Sequence, residues 1–135
     1  MKRKTCLTQQ DVAAILDAAT KEAVSNRWPV TIAVVDDGGH PLALVRLDDC
    51  APVSAYTAVE KARTSAMGRR ESKVYESMIN EGRTAFLSAP MTGLLEGGVP
   101  IIVDGEVVGA VGVSGVKPGQ DAQIAKAGCA AVKAA

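Results

Sequence analysis

The chain is poor in bulky aromatics, in histidine and in net charge. Its 135 residues include one Trp, one Phe, two Tyr and one His. Large rings normally fill much of a core, so their scarcity means that backbones must approach one another closely instead. Fifteen basic and fifteen acidic residues cancel, and no segment gathers the Lys and Arg that a polyphosphate partner needs, which argues against nucleic acid. No apolar run is long enough to span a bilayer, and the basic opening "MKRKTCL" leads into polar "TQQD" instead of a signal peptide's apolar stretch. The expected setting is the cytoplasm, with no membrane partner. Cys6, Cys50 and Cys129 are odd in number and lack paired C-x-x-C spacing, so buried or idle thiols are favoured over a zinc or redox site. G-x-S-x-G, H-E-x-x-H and P-loop patterns are missing too, and the hydrolase, metalloprotease and nucleotide readings go with them.

What is present is a chain with 47% apolar content, long enough for one domain over residues 1–135 that removes roughly 70% of its unfolded surface from water. Thr8 with Asp11 opens a helix carrying Val12, Ile15, Leu16, Ala19 and Ala23 at helical spacing, and Trp28-Pro29 ends it near Asn26. "VTIAVVD" (30–36) and "PLALVRL" (41–47), joined by "DGGH", predict a hairpin whose mainly apolar faces call for cover on both sides. A second helix begins near Pro52 and carries a narrow stripe of Ala55, Ala58, Val59, Ala62 and Ala66 to about Arg69, flanked by Lys61. Lysine on such a flank ordinarily keeps its head in water. A shorter helix is expected over 72–81, and 83–96 reads as a long connection with room for a short strand at its end. The last helix starts after Pro118-Gly119 and presents Ile124, Gly128, Ala131 and Val132 on one side.

"GGVPIIVDGEVVGAVGVSG" (97–115) holds six glycines. Asp104-Gly105 suits a two-residue hairpin turn, and the register it sets pairs Val103 with Glu106, Ile101 with Val108 and Val99 with Ala110. That places these six on one face with Gly112 and Ser114, and Ile102, Val107, Gly109, Val111 and Val113 on the other. Glycine inside a strand marks a close approach of another backbone or of a ligand. An Ala-rich helix is the favoured occupant, a ligand the alternative. The spacing is not G-x-G-x-x-G, so a dinucleotide loop ranks below both. If Gly97-Gly98 and "SGVKPGQD" meet at one sheet end, their N–H groups would suit a carboxylate or another anion.

"VVDDGGHPLALVRLDD", "KARTSA", "GGVPIIVDGEVVGAVGVSG" and "QDAQIAKAG" together resemble the GlcG/HbpS-like family, the haem-degrading domains also found at the C-terminal end of PduO-type proteins. The likeness runs from about residue 9 to 132. It implies an α/β fold of the α+β type, profilin-like, with a central antiparallel sheet flanked by helices on both faces, and homo-oligomers, dimers or octamers. It also implies haem or a related tetrapyrrole as the small-molecule ligand, with haem degradation in some members. The chain reads Asp48-Asp49-Cys50-Ala51 where the family often has Asp-Gly-Ala after the second strand.

A haem site needs an apolar slot, axial donors and cations for the propionates. Gly97, Gly98, Pro100, Gly112, Ser114 and Gly115 are expected to frame the pocket, with Arg46 and Lys61 meeting carboxylates and Asp48 beside them. His40, the single imidazole, is the candidate axial ligand, although its place at a hairpin tip predicts a solvated turn residue. Met67, Met78, Met91, Tyr56, Tyr75 and the thiols are substitutes. Asp36, Arg46, Asp48, Lys61, Glu96, Ser114 and Asp121 also keep open an enzyme acting on a small carboxylate or aldehyde, without a recognisable catalytic spacing or a metal cluster. A third reading is a non-catalytic assembly partner whose flattened apolar face is an oligomer contact.

Overall fold

The computed structural model describes residues 1–132. Helix α1 (Gln9–Ser25) is closed at its start by Thr8, whose hydroxyl accepts the Asp11 N–H at 3.2 Å while the Asp11 carboxylate accepts the Thr8 N–H at 2.7 Å. Two of the helix's orphan donors are thereby satisfied. The chain leaves through Asn26 and a left-handed Arg27, and Pro29 precedes the first strand. Strands β1 (Thr31–Asp36) and β2 (Pro41–Arg46) form the expected hairpin. Helix α2 (Ser54–Gly68), helix α3 (Lys73–Asn80), a 3₁₀ turn (Thr84–Ser88), β3 (Gly98–Val103), β4 (Glu106–Ser114) and α4 (Pro118–Cys129) follow. The connection before β3 holds the 3₁₀ turn, and its last residues, 89–97, form no strand. Ala131 and Val132 lie beyond α4, with Ala131 exposed.

All strand pairs are antiparallel, in the order β2-β1-β4-β3. Helices α1 and α4 cover one face, where Ile15, Ala19 and Ile124 meet Ile32, Val34, Val111 and Val113. Helix α2 covers the other, with Ala62 and Ala66 on Val35 and Ala110. Each fully buried Ile or Val contributes about 1.5–3 kcal/mol of transfer free energy, and the central strand β1 supplies three such residues, Ile32, Val34 and Val35, with Ala33 buried among them. Among the described residues no helix is long and apolar enough to cross a membrane.

Two sequence expectations are corrected here. The register from Asp104-Gly105 holds for Val103 with Glu106 and Ile102 with Val107 but no further, because Val108 is an extra residue in β4. Beyond it Ile101 pairs with Gly109, Val99 with Val111 and Gly98 with Gly112. Val99 and Ile101 therefore join the α1/α4 core, and Gly98 and Pro100 share the α2 face with Ala110 and Gly112. The second correction concerns β2. It lies at the sheet edge, and α2 sits over β4, β1 and β3 instead, leaving Leu42 and Leu44 43% and 45% exposed.

Candidate functional site

Small residues decide where α2 rests. A Cβ built on Gly112 would stand 2.1 Å from the Ala58 carbonyl oxygen, and one on Gly98 would stand 2.2 Å from that of Lys61. Only hydrogen fits in either place. The room over the flattened face is thus filled by the backbone of α2, so Gly98, Pro100 and Gly112 seat a helix where the sequence left open a ligand pocket or an oligomer contact.

Lys61 is buried by the same close approach, against the expectation of a solvated head. Its ammonium donates to the Val113 carbonyl at 3.0 Å and to Asp121 Oδ2 at 3.0 Å, and the two side chains are 5% and 3% exposed. Asp121 Oδ1 accepts the Val116 N–H at 3.1 Å, and the Gly115 N–H also favours the charged carboxylate. Burial pushes the Asp121 carboxyl up, while Lys61 and the two backbone donors pull it back. The two glycine-rich segments do meet, with Val113 N–H on the Gly97 carbonyl at 3.0 Å. The segment after β4 holds the chain's own Asp121 on the Val116 N–H, while the Gly98 N–H donates to the Ser72 hydroxyl at 2.8 Å, so the two segments make no shared anion cradle. Neither member of this pair is free to hold a substrate carboxylate. The only trace of it in the sequence is a lysine between Ala58 and Ala62 on a stripe otherwise kept small.

The other framing residues do not converge on one cavity. Ser114 ends β4 opposite Thr31, and Gly115 packs on Pro29, Val30 and Cys50. Below it the Thr31 hydroxyl lies 2.8 Å from that of Ser54, which donates to the Ala51 carbonyl. Arg46 and Asp48 are exposed, and among the described residues neither takes part in an ion pair. Asp48 lines a groove of about 370 Å³ with Trp28, Pro29, Leu47 and Arg27. Of the thiols, Cys6 is exposed, Cys50 is buried, and burial pushes Cys129 up to about 12.

His40 stands on the β1–β2 tip, its side chain 78% exposed, with Nδ1 3.0 Å from Asp36 Oδ1. It lines none of the three grooves described here. Asp36 works mainly as a turn former. Burial favours its neutral form, but N–H donation from His40 and Gly38, both at 2.9 Å, and from the imidazole overcomes that and holds the carboxyl below its ordinary value. An apolar groove of about 410 Å³ lies elsewhere, between α3 and the 3₁₀ connection. Ile79, Leu87, Leu94 and Leu95 wall it, and Met91 brings a thioether to it. Stacked Tyr75 and Phe86, centroids 4.9 Å apart, brace these segments, and Arg83 sits 5.5 Å over the Phe86 ring.

Residues 7–130 match the family model described as haem degrading protein HbpS-like. This chain belongs to the HbpS-like family. Protein GlcG of Escherichia coli K12 is 61% identical over 114 residues, 84% of this chain and 85% of GlcG. Among solved structures, the Klebsiella pneumoniae protein ORFY superposes with a TM-score of 0.89 at 25% identity, over 97% of this chain and 93% of that one. A PduOC–haem complex superposes with a TM-score of 0.84 at 26% identity, over 95% and 96%. The family's four-stranded antiparallel sheet between helices is the fold found here.

Proposed function

We propose that the chain is a haem-binding protein, and that the groove between α3 and the 3₁₀ connection holds the macrocycle's edge. The observation that carries this reading is likeness in fold, over nearly the whole of both chains, to a PduOC–haem complex. The groove supplies what a tetrapyrrole requires of a protein: aliphatic walls from Ile79, Leu87, Leu94 and Leu95, and a soft donor in the Met91 thioether. Arg83, which lies over the Phe86 ring outside the groove's lining, is the proposed propionate partner. Bound haem would bring an iron open to axial ligation and redox chemistry. The protein's part is to exclude water from one side of the ring and to fix its orientation. Lys61 and Asp121 satisfy each other, so the small-carboxylate enzyme reading loses its principal cation. The working form is proposed to be a cytoplasmic homo-oligomer.

Hemin titration tests this. A saturable, shifted Soret band is expected, altered by Met91→Leu and unchanged by His40→Ala. A flat titration ends the haem reading. A band lost in His40→Ala and intact in Met91→Leu moves the site to the hairpin tip. Adding ascorbate to the loaded protein reads degradation directly, as decay of the band with a biliverdin-like product.

A further inference from the structure

The end of α1 and the turn after β2 line one groove, the one that Asp48 borders. Helix α1 closes with the Arg27 N–H on the Val24 carbonyl at 3.1 Å and the Trp28 N–H on the Ala23 carbonyl at 2.9 Å, the paired bonds that end a helix on a left-handed residue. Beyond β2 the Cys50 N–H reaches the Leu47 carbonyl at 3.4 Å, with Asp48 and Asp49 between them. Arg27 and Asp49 have φ of +59° and +68°. Glycine is the usual residue at such positions, and in both a charged side chain stands instead. Half-buried Trp28, Pro29 and Leu47 give the groove an apolar floor, and exposed Arg27, Asp48 and Asp49 give it a charged rim. Its volume of about 370 Å³ suits a small molecule.

Two features of this groove lack a complement. Among the described residues Arg27, Asp48 and Asp49 enter no ion pair, so two carboxylates stand against one guanidinium and leave the rim negative. The second is the indole. Trp28 is the chain's one Trp, and Trp is the ring that holds a cation best. Tyr75 and Phe86 each carry an arginine, at 5.8 and 5.5 Å, whereas no cation among the described residues stands over Trp28. We propose that the groove binds a small alkylated ammonium, its methyl or methylene groups against Trp28 and its charge toward Asp48 and Asp49. An organic cation answers the apolar floor and the negative rim together. A hard metal ion needs more ligands than two carboxylates, and no cluster of three metal-binding side chains occurs among the described residues. An anion would meet more repulsion than attraction. The groove shares no lining residue with the one proposed for haem, so this inference is independent of that reading.

The indole itself reports on the site, because no other Trp contributes to the fluorescence. The protein is titrated with choline chloride and, separately, with neohexyl alcohol, its uncharged carbon counterpart, at matched ionic strength. A saturable change in Trp28 emission is expected with choline and none with the alcohol. Asp48→Asn and Asp49→Asn are each expected to weaken choline binding about two- to fivefold. Arg27→Asn is expected to tighten it by a similar factor, since it removes the positive charge that opposes the ligand. Asn tolerates the left-handed backbone at 27 and 49, and Asp48 is exposed, so these variants keep the fold, which an unchanged circular dichroism spectrum checks. A flat choline titration or an equal response to the alcohol overturns the inference. So does weaker binding in Arg27→Asn, which would assign the groove to an anion.

Discussion

Lys61 and Asp121 come from helices on opposite faces of the sheet and meet past the end of β4, 3.0 Å apart and almost out of contact with water. The Val113 carbonyl accepts from the ammonium and the Val116 N–H donates to the carboxylate. The pair joins the two outer layers directly. A buried ion pair is not in itself a large net gain, because desolvation opposes it, but removing one partner strands the other.

Lys61→Met is therefore expected to cost about 3–5 kcal/mol at neutral pH by urea unfolding. Asp121 already has a raised carboxyl pKa from burial, and loss of the ammonium raises it further. A carboxyl raised in the folded state binds its proton more tightly there than in the unfolded chain. Its contribution to stability is complete below the unfolded value of about 4 and is lost as pH rises through the folded value. The variant's deficit should thus shrink in acid and grow toward neutrality. Lys61→Met with Asp121→Leu should recover most of it, and a pH-independent deficit would contradict the assignment.

Gly112→Ala should lower stability by about 3 kcal/mol, since the added methyl meets the Ala58 carbonyl and α2 must lift off the sheet. Gly119→Ala is the comparison. Nothing lies within 4 Å of its added carbon in the first turn of α4, and a gain of about 0.5 kcal/mol is expected from the stiffer unfolded chain. Thermal midpoints of the two variants should move in opposite directions.

Asp36→Asn should flatten the acid limb of the stability curve. The folded carboxyl is depressed, so its contribution is present above the unfolded value and disappears as pH falls through the folded one. Unfolding free energies at descending pH, compared with the wild type, measure the difference. Parallel curves would mean that the turn gains nothing from the charge.

One thiol per chain should alkylate quickly at mildly alkaline pH. That thiol is Cys6, exposed near the N-terminus, whereas Cys50 is buried and Cys129 is held protonated by burial up to about 12. Peptide mapping after a brief pulse of iodoacetamide identifies the site. Fast modification of Cys129 would show that α4 opens.

The order of elements was legible because many carry their own punctuation: Thr8 with Asp11 at one helix start, Pro29 at its end, Asp104-Gly105 at the turn. The Ala stripe and the strand glycines also pointed correctly to a helix lying tight on the sheet. Strand faces were less legible. Alternation counted from a turn fails once a residue is inserted, and nothing about Val108 as a residue type announces that it is the inserted one. The hairpin's edge position was hidden for another reason, since an apolar strand reads alike whether covered by its own helix or left half in water. The Lys61–Asp121 contact joins residues sixty positions apart, and no local pattern reports on it. His40 was expected in a solvated turn and stands in one, while the place of Met91 beside Ile79 and Leu87 follows from tertiary packing that no local pattern reports.

The insertion at Val108 also limits how this hairpin can vary. Deleting that residue would exchange inside for outside on everything toward Gly98, driving the branched chains of Val99 and Ile101 into α2 and leaving hollows beneath α1. Changes of loop length at Asp104-Gly105 carry no such penalty while the inserted residue stays in place. Tolerance to indels in this ribbon should therefore concentrate at its tip and vanish within a few residues of it.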